Sequence, residues 1–292
     1  MIVPILLGAL SLLALAYAAR LITEARRRGA LALRPEGVAI GAVANFFDTL
    51  GIGSFAPTTA WLKLRKLIPD SFLPAVLIAG HCLPTVTQAL VFINLVQVDP
   101  ILLAACIGAA VAGSLVGAPI VQKLPVRVVQ AVVGVALLIA AFLYALTNLK
   151  LMPGGGEALA LSGGLFAAAV AAHFVMGALM TFGIGLYAPS LILLSLFGLD
   201  PKAAFPIMMG ACAFLMPVSA FSFIKGPRID LKLVLGMALG GIPAVLLAAF
   251  VVKSLPLDAL RWGVVVVVLY AAAVLLWSAL KGGGDPDPAP KP

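Results

Sequence analysis

Two stretches of this chain, 132 positions apart, read almost alike. They are Asp48-Thr49-Leu50-Gly51-Ile52-Gly53-Ser54-Phe55-Ala56-Pro57 and Met180-Thr181-Phe182-Gly183-Ile184-Gly185-Leu186-Tyr187-Ala188-Pro189. From the threonine to the proline, six of nine positions are identical. Each copy interrupts an apolar segment with Gly-x-Gly-x-x-x-Pro, a pattern that a straight helix does not carry: glycine frees the backbone and proline lacks an N–H. Paired interrupted segments in corresponding places of two halves are the sequence pointer to a transporter binding site.

The surrounding chain is 63% hydrophobic and 10% charged, against roughly 45–50% and about 25% in soluble domains. That composition specifies a polytopic helical protein whose partner is the lipid bilayer. The apolar runs are too long for an outer-membrane barrel, which alternates in short segments. A net charge of +8 would suggest nucleic acid in a soluble protein. Here the basic residues collect in short loops, as membrane topology requires, and no nucleic-acid partner is expected. The three cysteines, Cys82, Cys106 and Cys212, lie in apolar runs without a Cys-x-x-Cys pair, so neither a disulfide framework nor a metal site is implied.

In chain order, residues 1–22 read as an N-terminal transmembrane span, retained because its arginines follow the apolar run instead of preceding it. Residues 23–36 read as a basic cytoplasmic loop. Repeat 1 occupies 37–148: the first interrupted segment, to about residue 69, then spans near 72–96, 100–122 and 126–147. As one helix that first segment would be about 48 Å long against about 30 Å of hydrocarbon, so a broken hairpin fits better. A Gly-rich linker, 149–161, leads into repeat 2 at 162–281, with an interrupted segment at 162–198 and spans near 202–224, 230–252 and 258–280. The Gly/Pro/Asp-rich tail, 282–292, reads as disordered. The repeat extends beyond the motif: Asp70/Asp200, Gly80/Gly210 and Cys82/Cys212 are 130 apart, Asp99/Asp230 and Pro125/Pro256 are 131 apart.

If each interrupted segment enters and leaves on one side, 15 of the 19 Lys and Arg face the cytoplasm; if each crosses once, 11 do. The positive-inside rule prefers the first arrangement. The expected fold is therefore all-α and integral to the membrane, with two inverted repeats, each a broken or re-entrant helix segment plus three spans, and an extra N-terminal span. Its N-terminus would lie outside and its C-terminus in the cytoplasm.

Of the eleven acidic residues, ten stand at span ends, in loops or in the tail. Asp48 is the exception, between Val38–Phe47 and Leu50–Phe55 without a neighbouring base. An ionisable group there costs about 2.5–3.5 kcal/mol on insertion scales and is a functional hypothesis by default. It reads as a proton-coupling site or as a cap on a half-helix. The second copy has Met180 in its place. Backbone N–H groups freed around Gly51, Gly53, Gly183 and Gly185, at the positive ends of half-helices, suit an anion; close helix packing is the other use of such glycines. Pro57 and Pro189 read as hinges. His81, followed by Cys82, Thr85 and Gln88, makes the span after the first motif unusually polar, and its counterpart carries Cys212 and Ser219. These residues could line a pathway. His81 would contact substrate or proton, or else bond helix to helix, as would His173. No Gly-x-Ser-x-Gly, His-Glu-x-x-His or Walker-type phosphate loop occurs, so neither an enzyme nor an ATP-driven pump is expected, and no cofactor is called for.

The chain resembles the sulfite exporter TauE/SafE family of membrane permeases. The residues that carry the likeness are Phe46-Phe47-Asp48-Thr49-Leu50-Gly51-Ile52-Gly53-Ser54-Phe55-Ala56-Pro57, the Gly183-Ile184-Gly185-Leu186-Tyr187-Ala188-Pro189 copy, and the order of the segments between about 37 and 280. It departs from the family where members often carry a Gly-rich run (here Gly-Ile-Gly-Ser) and an Asn-Lys pair (here His81-Cys82). The resemblance implies export of small sulfur-containing anions such as sulfite or organosulfonates, with proton coupling. The anion would be held by N–H groups of residues 51–55 and 183–187, including those of Ser54 and Phe55, with Thr49, Thr181 and Tyr187 as hydroxyl donors. Asp48, with His81, would handle the proton. The residues alone leave open a passive anion or small-molecule channel, or a non-transporting membrane scaffold subunit.

Overall fold

The computed structural model describes residues 2–151, 156–250 and 257–281, and eleven α-helices run through them. They are α1 (Ile2–Arg27), α2 (Pro35–Thr49), α3 (Phe55–Leu64), α4 (Leu73–Leu95), α5 (Pro100–Val121), α6 (Val126–Asn148), α7 (Gly163–Met180), α8 (Tyr187–Leu196), α9 (Pro201–Lys225), α10 (Leu231–Phe250) and α11 (Leu257–Lys281). Seven helical segments are long and apolar enough to span the hydrocarbon, which makes this a multi-pass membrane protein. The tail 282–292, Pro256 and the centre of the expected linker (152–155) lie outside the described residues.

The aspartates that recur between the halves start helices. Asp99 and Asp200 accept N–H bonds from Leu102 (2.8 Å) and Lys202 (2.7 Å). Asp230 accepts one from Leu233 (3.0 Å), and a proline opens α5 and α9, where its missing N–H costs nothing. The loop expected from residue 23 is helical through Arg27. Basic side chains suit the negative end of a helix, and buried Glu24 fixes that last turn by ion pairs to Arg27 (2.6 Å) and Arg28 (2.7 Å).

Both interrupted segments are hairpins of two helices, short in both arms in the first copy and of 18 and 10 residues (α7 and α8) in the second. α2 (15 residues) and α3 (10 residues) would be about 22 and 15 Å long, each short of a full span. Glu36, at the start of α2, accepts from Trp61 Nε1 (3.1 Å) and Arg65 Nε (2.9 Å) at the end of α3. Arg34 Nη1 donates to Leu67 O (3.3 Å). The segment thus returns to the end it came from. In the second copy, the strand-like residues before α7 meet those after α8: Gly156 and Ala158 donate to Leu199 O (3.2 Å) and Gly198 O (3.3 Å), and Asp200 donates back to Ala158 O (2.8 Å).

The mouths of the hairpins are tied to different helix ends. Arg34, at the first mouth, pairs with Asp230 at the start of α10 (3.0 Å), while Leu159, at the second mouth, accepts from Asp99 N at the start of α5 (2.9 Å). Arg28 Nη2 donates to the carbonyls of Ile224 (2.8 Å) and Lys225 (3.0 Å) that end α9. The end that carries Arg28, Arg34 and Asp230 is called the basic end below.

Helices pair across the halves: α2 with α10, α7 with α5, α6 with α11, and α4 with α9. The exchange extends to single contacts. Gly80 of α4 faces the side chain of Met237 on α10, and Gly210 of α9 faces Ile107 on α5; each residue of the second pair stands 130 positions from its counterpart. The α2–α10 and α5–α7 seams are packed backbone to backbone. A Cβ at Gly41 would strike the carbonyl of Met237, one at Gly240 that of Val38, one at Gly113 that of Phe174, and one at Gly177 that of Ala110. Small residues at such crossings supply van der Waals contact where no hydrophobic drive acts between helices in lipid.

Candidate functional site

The two hairpin turns meet in the interior of the fold. The first turn is made by Gly51 (φ 88°) and Gly53 (φ 87°), the second by Gly183 (φ 95°), all in the left-handed region that glycine adopts without strain. Gly185 approaches Phe55 so closely that its Cβ would stand 3.9 Å from that of the phenylalanine. Pro57 and Pro189 lie in the first turns of α3 and α8, downstream of the turns themselves, where a helix has no use for their N–H.

Between the turns is a cavity of about 70 Å³, room for a few waters or one small oxyanion. Its walls include Gly53–Ala56 from the first copy, Gly183–Pro189 from the second, Asp48, Thr85, Met180 and Cys212, and the apolar face of α6 from Ala136 to Leu143. No Lys, Arg or His is among the lining residues. The first turns of α3 and α8 both open onto the space. The first four N–H groups of any helix lack intrahelical acceptors, and Phe55 and Ala56 of α3 and Tyr187 and Ala188 of α8 line this space, with Gly53 and Gly185 from the turns before them.

A chain of hydrogen bonds joins the halves beside the cavity. Buried Gln88 of α4 donates through Nε2 to Asp48 Oδ2 (2.8 Å) and Thr49 Oγ1 (3.1 Å). Its Oε1 accepts from Tyr187 of α8 (2.6 Å). Ser54, the residue before α3, lies close enough to the Asp48 carboxylate to interact with it, so the carboxylate stands beside the first turn. At the second turn the equivalent position is Met180, whose Sδ accepts from Cys212 (3.5 Å).

The three expected hydroxyl donors point elsewhere in this arrangement. Thr49 donates to Asn45 O (2.7 Å), Thr181 to Ala178 O (2.7 Å), and Tyr187 to Gln88. Of all the expected residues, Gly53, Ser54, Phe55, Gly183, Gly185, Tyr187, Thr85, Cys212 and Asp48 line the cavity. Thr49, Gly51, Thr181 and Gln88 stand behind that layer. Cys82 and Ser219 are buried in α4 and α9 outside it.

His81 holds helices together. Asn45 is oriented by its Nδ2 bond to Gly41 O (2.7 Å), so its Oδ1 accepts from His81 Nδ1 (3.0 Å), and His81 Nε2 accepts from Thr58 (2.9 Å). The ring thus joins α2, α3 and α4. His173 does the same in the second hairpin, accepting from Ser190 (3.0 Å), the residue 132 positions from Thr58. Asn45 was the residue missed here. It is an amide in the apolar run Val38–Phe47, and that isolation was its signal. The α6 wall carried none, being apolar throughout.

The model of the sulfite exporter TauE/SafE family matches residues 165–292, a stretch that contains the second turn and most of the second half. No curated protein and no solved structure matches the chain.

Proposed function

Kinship with the sulfite exporter TauE/SafE family is the premise from which we propose that this chain is a secondary transporter, exporting small sulfur-containing anions such as sulfite or organosulfonates with proton coupling. It is read as a carrier and not an enzyme, built of two inverted repeats in the inner membrane, with its N-terminus outside and its C-terminus in the cytoplasm. The inversion is supported by the hairpin mouths, the first tied to the start of α10 and the second to the start of α5, two starts that the three full-length helices α5, α6 and α9 separate along the chain, and the orientation by the concentration of Arg and Lys at the basic end.

One observation carries the reading: the N-termini of two re-entrant helices converge on a single small cavity with a carboxylate at its edge. N–H groups at helix starts hold anions without a charged side chain. Ser54, Phe55, Gly185 and Tyr187 would offer those groups, with Pro57 and Pro189 fixing the helix starts behind them. A charged Asp48 repels an anion in the cavity; a protonated one does not. Substrate therefore binds the protonated form better and shifts the population towards it, which couples the two. Thr85, Cys212 and Gln88 shape the wall, and Gln88 keeps Asp48 in place.

The test is sulfite flux in proteoliposomes, with and without an imposed pH gradient, for wild type and Asp48→Asn. Gradient-dependent flux that vanishes in the variant is expected. Equal flux in both would make Asp48 a cap on α3 and the protein a passive anion channel.

A further inference from the structure

Resting on that reading, we propose a second anion station between the cavity and the basic end, built from Thr59 and Lys63 of α3. Ala56 lines the cavity. Thr59 and Lys63 follow it at i+3 and i+7, so the three share one face of α3, and Lys63 lies about 10 Å further along the helix axis. On α6, Leu137 lines the cavity, and Gln130 stands seven residues before it on the same face. Both faces therefore lead from the cavity towards the basic end, and both end in polar groups.

At that end Lys63 Nζ pairs with Asp70 Oδ2 (2.5 Å), and Gln130 Nε2 donates to the same oxygen (2.8 Å). Asp70 and Gln130 are buried, and Lys63 keeps only 16% of its side chain exposed. Two further polar atoms on these faces, Thr59 Oγ1 and Gln130 Oε1, are buried without a hydrogen-bond partner among the described residues. A buried hydroxyl without a partner is costly, and threonine in a helix ordinarily bonds its own backbone. Thr59 instead leaves a donor free between the cavity and a cation. The ligand that fits a free hydroxyl donor next to an ammonium is a small oxyanion. Asp70 holds Lys63, and an anion entering from the basic end exchanges with Asp70 for the ammonium while Thr59 donates to it on the way to the cavity. The bar formed by Lys63, Asp70 and Gln130 thereby opens for an anion in transit.

The test reads access to Cys212, which lines the cavity, in a background with Cys82→Ser and Cys106→Ser. The probes, applied from the basic end, are the anionic sulfonatoethyl methanethiosulfonate and neutral methyl methanethiosulfonate. Thr59→Val and Lys63→Met are expected to slow the anionic reagent at least fivefold while the neutral reagent reacts at the parent rate. Thr59→Val removes an unpartnered hydroxyl and keeps the shape, so its thermal midpoint should not fall. The exchange Lys63→Asp with Asp70→Lys checks that the fold tolerates changes at the bar. Unchanged anionic labelling in both single variants would overturn the proposal, as would anionic labelling that proceeds only from the opposite end. Labelling requires no sulfite flux. Loss of the transport reading with Thr59- and Lys63-dependent labelling intact would therefore leave the station standing.

Discussion

Tyr187 donates a 2.6 Å hydrogen bond to Gln88 across 99 positions of sequence, joining the first turn of α8 to the helix that follows the other hairpin. The bond orients both partners. Thr49 gives its proton to Asn45 O, so its oxygen only accepts, and this fixes the Gln88 amide with Nε2 towards Thr49 and Asp48. Oε1 then faces Tyr187.

Tyr187→Phe leaves Gln88 Oε1 buried and unpaired. The expected loss is about 1–3 kcal/mol of stability, read as a lower thermal midpoint of the purified protein. A midpoint equal to wild type would show that the halves are not tied through this bond.

Met180→Asp places a carboxylate at the second turn in the position that Asp48 holds at the first. Desolvation keeps an added charge expensive there, and a charged form repels an anion at α8. Sulfite flux should fall at least about tenfold, a difference of about 1.4 kcal/mol in anion binding. Met180→Leu, similar in volume and uncharged, should retain most of it.

Gly41→Leu drives a side chain into the backbone of Met237 on α10. The obstacle is main chain, which cannot rotate away, so the cost should exceed the usual 1–3 kcal/mol of overpacking, about 3 kcal/mol or more. Yield of folded protein in the membrane and its thermal midpoint report it. Gly8→Leu is the control: a Cβ there meets nothing within 4 Å, and both quantities should match wild type.

Single cysteines in place of Arg65 and Lys232 should react with an impermeant thiol reagent from one side of the membrane, and those in place of Lys150 and Lys202 from the other. Labelling of position 65 from the side that reaches position 202 would contradict the hairpin formed by α2 and α3.

Both turns were legible in the sequence because glycine and proline there answer to local backbone geometry and the pattern occurs twice. Asp48 was legible because a carboxylate in an apolar run has few alternative explanations. The roles of side chains behind the turns were harder to read. His81 looks the same in sequence whether it meets substrate or clasps Asn45 and Thr58, since the difference lies in partners 36 and 23 positions away. Pro57 looked like a hinge, but the bend belongs to Gly51 and Gly53, whose positive φ does the turning. The α6 wall and the meeting of Lys63, Asp70 and Gln130 depend on tertiary packing alone. Apolar residues on a membrane helix carry no mark of whether they face lipid, a neighbour or a cavity.

The glycine seams also bear on how the protein is made. Gly37 and Gly41 of α2 press against α10, which leaves the ribosome only after every helix from α3 to α9. Until then α2 has a bare groove in the bilayer, fitted to a backbone not yet synthesised. The same holds in reverse for α5, which waits for α7. Neither half is a finished object, and a nascent chain arrested after α6 should be held by chaperones or degraded. An ancestor encoding one half alone would have had to meet a second copy of itself before it could fold at all.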